Sequence, residues 1–142
     1  MRVKALILGL LLLSLCLAAC GSPATSRPLV DYRRSGGIAG FDDHLVIQAD
    51  GRAVLTRRGA RHEFAVKREV LNDLSALLQE ADFSRLRGEY LPASPCCDRF
   101  DYTVTYKGHT VHTMDGAVPE ALSPVFEALN RLITQGSQPT AS

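Results

Sequence analysis

The sequence contains no tryptophan, and four tyrosines and five phenylalanines are its only aromatic residues. Aliphatic side chains must therefore form most of any core. Internal repeats and heptad runs are absent, as are motifs of common enzymes such as a Gly-x-Ser-x-Gly elbow or a glycine-rich phosphate loop ahead of a helix. These absences predict a protein that is not an enzyme and that needs no cofactor.

One long apolar run stands at the amino terminus. Arg2 and Lys4 precede it, and residues 5–19 are almost entirely Leu, Ile, Ala and Gly, as in an export signal. The run ends at Leu17–Cys20, which resembles the lipobox of bacterial lipoproteins. This resemblance implies cleavage before Cys20 and attachment of lipid to its side chain. A transmembrane anchor is the alternative, but it would need about 20 apolar residues.

Cleavage at this point sets the organisation of the remaining chain. Removal of residues 1–19 takes away two basic residues and no acid, so the net charge falls from +1 to about −1 and argues against a nucleic-acid partner. Attachment would come from lipid, which predicts an exported protein anchored to a cell membrane. We expect a flexible tether at 20–28, a folded domain at 29–135 and a disordered polar tail at 136–142.

Alternating apolar residues and turn signals predict four strands in the first half of the domain. The strands are residues 29–34, 44–49, 52–57 and 61–66. Asp50-Gly51 is a two-residue hairpin signal. With tight turns, Val46, Leu55 and Phe64 would form one cross-strand row.

The second half predicts two amphipathic helices and a hairpin. Residues 67–81 carry apolar side chains at three- and four-residue spacing, and a similar stripe runs from 122 to 133. Residues 98–106 and 109–114 form a hairpin with Val104 opposite Val111. The predicted fold is α+β, an antiparallel sheet of about four N-terminal strands plus a C-terminal hairpin, with two helices on one face. The predicted core consists of Val46, Ile47, Val54, Leu55, Phe64, Leu74, Leu77, Leu78, Tyr102, Val104, Val111, Phe126 and Leu129.

Histidines and acids give no clear sign of a metal or catalytic site. His109 and His112 are three residues apart, which places them on opposite faces of a strand. They therefore do not predict metal ligation. The pairs Asp42-Asp43 and Asp98/Asp101 belong to turns and strand ends, where carboxylates are usually solvated.

Cys96 and Cys97 are adjacent in a loop that two prolines stiffen. Thiols of exported proteins are usually oxidised. Neighbouring Cα atoms are about 3.8 Å apart, below the usual disulfide range of about 4.4–6.8 Å, so a vicinal disulfide would be strained. Free thiols, intermolecular disulfides, metal ligation and a plain structural role remain alternatives at this pair.

The stretch Arg34–Gly40 looks like the Ser-Gly-Gly-aromatic/aliphatic-Ala-Gly signature of the emfourin family. Emfourins are small bacterial inhibitors of protealysin, a thermolysin-like metalloprotease. Residues 80–83, 98–105 and 116–122 also match, and together the motifs cover about 30–133 in the same order. The resemblance implies that the partner is a secreted, thiol-independent metalloprotease of the thermolysin type. The lipobox, the Asp50-Gly51 hairpin region and Cys96-Cys97 depart from the family pattern. A non-inhibitory cell-envelope lipoprotein that binds another protein or has a structural role is therefore the alternative.

An inhibitor needs an exposed, rigid segment that can enter the cleft of its protease. The glycine-rich stretch after the first strand is the first candidate, and the loop at 91–97 is the second. The glycines could instead form a bulge that bends the sheet. The candidate partner-binding residues are Ser35, Gly36, Gly37, Ile38, Ala39, Gly40 and Phe41.

Overall fold

The computed structural model describes residues 27–94 and 98–138, which contain seven strands and two α-helices. The strands are β1 (Val30–Gly36), β2 (Phe41–Ile47), β3 (Arg52–Arg57), β4 (Ala60–Ala65), β5 (Glu89–Tyr90), β6 (Phe100–Tyr106) and β7 (His109–Met114). The helices are α1 (Arg68–Glu80) and α2 (Ser123–Gly136), with 3₁₀ turns at Phe83–Arg85 and Glu120–Leu122. The fold is α+β, as predicted.

All seven strands belong to one sheet with the order β4-β3-β2-β1-β6-β7-β5. Every neighbouring pair is antiparallel except β5 and β7, which are parallel. The sequence predicted six of these strands and missed β5. Two residues are too few to show an alternating pattern, and the pairing of β5 depends on β7, more than twenty residues away along the chain.

One face of the sheet carries the core. Tyr32, Leu45, Leu55 and Val104 on this face are fully buried. The ring of Phe126 in α2 lies 5.4 Å from the ring of Tyr32. Helix α2 also comes close to β2 and β4, whereas the element nearest to α1 is α2 itself. The predicted layer of two helices is therefore correct only in part, because α1 packs mainly beside α2.

Most of the predicted core residues are buried, and Phe64 and Leu77 are half-buried against the core. Val46 and Val54 were wrongly assigned to it. They pair with each other and are half-buried on the second face of the sheet, which we call the open face. Side chains alternate along a strand, so Ile47 and Leu55 occupy the core face and their neighbours cannot.

A three-residue loop explains the incorrect strand register. The amide of Gly51 donates to the carbonyl of Gln48 at 3.0 Å, and Gly51 has a φ of +88°. This is a type I turn followed by a left-handed residue, rather than a two-residue turn at Asp50-Gly51. The extra residue shifts the β2–β3 pairing by one position, so that Leu55 lies opposite Leu45 instead of Val46. In the next hairpin, Arg57 and Ala60 flank a two-residue loop, which places Phe64 opposite Ala53 instead of Leu55.

The β6–β7 hairpin has the predicted two-residue loop, and Val104 lies opposite Val111. Pairing of His109 with Tyr106 and of His112 with Thr103 confirms that the two histidines are on opposite faces. Within the described ranges, no helix is long and apolar enough to cross a membrane. Cys20, Cys96 and Cys97 lie outside the described residues.

Candidate functional site

The strand directions bring both candidate segments to one end of the sheet. Gly36, at the end of β1, pairs with both Phe41 and Phe100, the first residues of β2 and β6. β5 is parallel to β7, so the chain that follows Tyr90 also leaves the sheet at this end. We call this end the loop end. It comprises residues 37–40, 58–59, 91–94, 98–99 and 115–119.

The turn that joins β1 and β2 forms the most exposed part of the loop end. The amide of Gly40 donates to the carbonyl of Gly37 at 2.9 Å, which closes a four-residue turn. Ile38 at its tip is 93% exposed. Among the described residues it is the most exposed large hydrophobic side chain, so it is open to contact by a partner. Leu91 in the second candidate segment is also exposed, at 46%.

Two neighbouring segments, at Arg99 and Arg58, hold this turn in place. β1 and β2 pair without interruption up to Gly36, so the glycines form a turn and not a bulge. The amide of Gly37 donates to the carbonyl of Arg99, and the guanidinium of Arg58 donates to the carbonyl of Ala39 at 2.6 Å. Gly36 has a φ of +107°, and any side chain there would overlap the Arg99 carbonyl. Glycine is thus required for the close approach of β1 to the chain before β6.

Aromatic rings lie directly beneath the turn. The rings of Phe41 and Phe100 are 5.6 Å apart, and the Arg34 guanidinium lies 5.4 Å from the centre of each. Such cation–π contacts are stabilising. Phe41 therefore supports the turn from below, and of the predicted partner-binding residues it is Ile38, Ala39 and Gly40, together with Ser35, that are exposed.

A buried carboxylate ties three strands together under the loop end. Asp43 on β2 has no exposed surface and accepts hydrogen bonds from Arg34 on β1 and Arg57 on β3, each at 2.6 Å. Burial by itself raises the pKa of the Asp43 carboxyl. The hydrogen bonds and charges of Arg57 and Arg34 outweigh this effect and leave the pKa below its ordinary value. The expectation that both members of the Asp42-Asp43 pair are solvated was wrong for Asp43, while Asp42 is exposed.

Asn130 connects this cluster to helix α2. Its side-chain oxygen accepts hydrogen bonds from Arg34 at 3.0 Å and from the Tyr32 hydroxyl at 3.2 Å. Burial raises the pKa of Tyr32 above its ordinary value, so the hydroxyl remains a donor at neutral pH. Asn130 stands at the border of the apolar stripe, four residues after Phe126 and three before Ile133, and the helical period alone does not single out a polar residue at such a border.

Asp115 fastens the chain after β7 to the start of β6. Its carboxylate accepts hydrogen bonds from the Tyr102 hydroxyl at 2.8 Å and from the Phe100 amide at 2.9 Å. The Arg99 guanidinium donates to the Asp115 carbonyl at 2.6 Å. Burial, reinforced by the Asp115 carboxylate, raises the pKa of Tyr102. Sequence reasoning missed Asp115, since an acid after a strand is usually solvated.

The histidines of the open face pair with acids. The Nε2 atom of His112 lies 2.8 Å from a carboxylate oxygen of Asp101, and its Nδ1 atom lies 3.3 Å from one of Glu89. The Nε2 atom of His44 lies 2.9 Å from a carboxylate oxygen of Asp31. Asp101 is thus not simply solvated, whereas Asp98 is exposed. In residues 27–94 and 98–138, no group of three or more His, Cys, Asp or Glu side chains has a geometry that could hold a metal ion.

Comparison with known proteins does not place the chain in a family. No protein-family model matches the sequence, and no curated protein matches it significantly. The likeness to emfourins therefore rests on the sequence motifs alone.

Proposed function

We propose that this chain is a lipid-anchored bacterial lipoprotein whose exported domain inhibits a thermolysin-like metalloprotease. The single observation that carries the proposal is the Gly37–Gly40 turn, which exposes 93% of Ile38 while its own backbone is held by Arg58 and Arg99. A preorganised apolar tip can enter a hydrophobic subsite with little loss of conformational entropy. The turn thus has the properties required of an inhibitory segment.

The rigidity of the turn matters as much as its exposure. An inhibitor that binds like a substrate must resist cleavage, and a segment fixed on both sides moves less easily into the geometry of the reaction. Arg34, Asp43 and the Phe41–Phe100 ring pair provide this support from below. Leu91, exposed in the loop that follows β5, would add a second apolar contact at the same end of the sheet.

The position of the tether agrees with this function. The N-terminal chain enters β1 at Val30, and the strand then runs for seven residues to Gly36 at the loop end. At about 3.3 Å per residue, the loop end lies roughly 20 Å from the point where the tether joins the sheet. A lipid on Cys20 would therefore attach at the end of the sheet opposite the loop end and would leave the loop end free for contact with a secreted protease.

Ile38→Asp is the substitution that tests the proposal. A carboxylate in an apolar subsite is strongly unfavourable, so we expect inhibition of a thermolysin-type zinc protease to weaken at least about 30-fold. Ile38 packs against nothing that the fold requires, so the melting temperature should stay unchanged. Val70→Asp is the matched control, because Val70 is an exposed aliphatic residue on helix α1. It should retain full inhibition.

Gly37 is a less suitable position for this test. Its φ is +71°, and a Cβ atom there would lie 3.2 Å from the Phe100 ring, so a larger side chain would strain the fold as well as the contact. If the unaltered domain inhibits neither thermolysin-like enzymes nor a co-encoded protease, the inhibitor proposal is wrong. The alternative, a cell-envelope module that binds another protein, would then stand.

A further inference from the structure

Strand β4 forms one edge of the sheet and is exposed along most of its length. Helix α2 covers only its inner side, where Phe64 packs against Gly136. Among the described residues, no element pairs with its outer side. A free edge of six residues is a template for another strand, and proteins usually shorten, bend or cover such edges. The opposite edge, β5, has only two residues.

The β3–β4 turn determines which backbone groups of β4 point outward. Arg57 and Ala60 flank a two-residue loop in which Arg58 and Gly59 have φ values of 47° and 80°. Residues that flank such a loop exchange both backbone hydrogen bonds, and the bonded positions then alternate along the strand. The amides and carbonyls of Arg61, Glu63 and Ala65 therefore point away from β3.

The charges on these outward positions are self-complementary. Arg61 and Glu63 lie on the same face of β4, are both exposed and form a 2.8 Å ion pair within the strand. Two β4 strands can pair antiparallel in several registers. One register places Arg61 of one copy opposite Arg61 of the other, and another places the two Glu63 residues opposite each other. The register between them places each Arg61 opposite Glu63 of the second copy, with a two-fold axis at His62. Opposite charges across a strand pair are stabilising, and like charges are destabilising.

We propose that two copies of this chain associate through antiparallel pairing of their β4 strands, with Arg61 of each copy opposite Glu63 of the other. The inference is independent of protease inhibition, because β4 pairs through its outer edge and the Gly37–Gly40 turn stays free. The contact is small, so we expect a dissociation constant of about 10–100 µM in solution.

Sedimentation of residues 21–142, which include every described strand and helix, measures this association. A reducing agent excludes disulfide-linked dimers through Cys96 or Cys97. We expect the unaltered chain to form dimers as its concentration rises. Arg61→Glu and Glu63→Arg should each weaken dimerisation at least about tenfold, because each places like charges opposite one another at two positions. Glu127→Arg changes an exposed charge on α2 and should leave the dimer intact.

The two single variants also provide a rescue. When they are mixed, every position 61 faces an opposite charge at position 63 of the other chain, so a mixed dimer should form although neither variant dimerises alone. The double variant with both reversals should dimerise like the unaltered chain. The proposal is wrong if the unaltered chain stays monomeric at about ten times the expected constant. It is equally wrong if the single reversals leave the dimer unchanged, since the contact would then lie on another surface.

Discussion

At the scale of single residues, Asp43 decides how firmly the loop end is held. Its carboxylate joins Arg34 and Arg57 from the two strands that flank β2. A buried ion pair of this kind adds little over an apolar substitute, but removal of one partner leaves the other charge uncompensated. The packing beneath the exposed turn therefore depends on the Asp43 carboxylate as the counter-charge of both guanidinium groups.

Asp43→Asn should lower the free energy of unfolding by about 3–5 kcal/mol, because two guanidinium groups lose their buried counter-charge. Urea denaturation measures the change. Asp42→Asn is the matched control at the neighbouring exposed position, and it should change stability by no more than about 0.5 kcal/mol. Equal effects of the two substitutions would show that the Asp43 cluster is not a stabilising unit.

The same carboxylate gives an acid dependence with a defined sign. The pKa of Asp43 in the folded chain lies below its unfolded value of 3.8. Its contribution is therefore complete well above pH 3.8 and is lost as pH falls through the folded pKa. Asp43→Asn should lose less stability on acidification than the unaltered chain.

At the scale of elements, helix α1 contributes to the core through one stripe. Leu71, Leu74 and Leu78 are its buried residues, and the opposite side of the helix is polar. Lys67, the residue at the N-cap of the helix, makes no capping hydrogen bond with its side chain. Isolated helices of this length are marginal, so packing of the stripe stabilises α1 more than its own propensity does.

Leu74→Ala should destabilise the domain by about 2–5 kcal/mol, since Leu74 is only 1% exposed and its removal leaves a cavity. Thermal unfolding measures the loss. Val70→Ala, on the same helix but 40% exposed, should cost much less. A Leu74 variant that melts with the unaltered chain would mean that α1 does not pack as described.

The short strand β5 is joined to β7 partly by a titrating side chain. His112 contacts Asp101 and Glu89. The hydrogen bond to Asp101, opposed by partial burial and reinforced by Glu89, raises the pKa of His112 above 6.5. A raised pKa means that the stabilising contribution is complete below pH 6.5 and is lost as pH rises through the folded value.

The stability difference between the unaltered chain and His112→Gln should therefore shrink from pH 6 to pH 9. The groups are partly exposed, so the full difference should be no more than about 1 kcal/mol. Unfolding in urea at each pH measures it, with the exposed His109→Gln as the control. A difference that is constant over this range would contradict the ion-pair role of His112.

At the scale of the whole molecule, the two ends of the sheet have different surroundings. The tether joins β1 at one end, and the Gly37–Gly40 turn occupies the other. Lipid at Cys20 would attach to the domain at the first of these ends, through the tether. Several acyl chains provide stable attachment where a single chain is marginal.

The native protein should therefore begin at Cys20 and carry acyl groups there. Intact mass of the purified protein measures both features. Cys20→Ser should abolish lipid attachment and leave the precursor unprocessed or release the domain. An unmodified Cys20, or cleavage at another position, would refute the lipoprotein hypothesis.

Local sequence was sufficient for the fold class and for much of the core. The helical period around Leu74 and the alternation along β6 each arise within one element, so they are visible without any partner. The Lys107-Gly108 turn likewise determines the pairing of Val104 with Val111, because a two-residue loop leaves one register. The glycine-rich stretch forms a turn with Ile38 exposed at its tip, and its role in partner binding stays a prediction.

Only the tertiary structure decided the burial of Asp43, the face of Val46 and Val54, and the pairing of β5. Each depends on partners distant in sequence or on one extra residue in a loop, and a shift of one residue reverses every side chain of a strand. Gly36 pairs with Phe100, 64 positions further along the chain, and this pairing likewise depends on a partner that is distant in sequence. The candidate site arises where strands from both halves of the chain end together, and that meeting point is a property of the sheet rather than of any single segment.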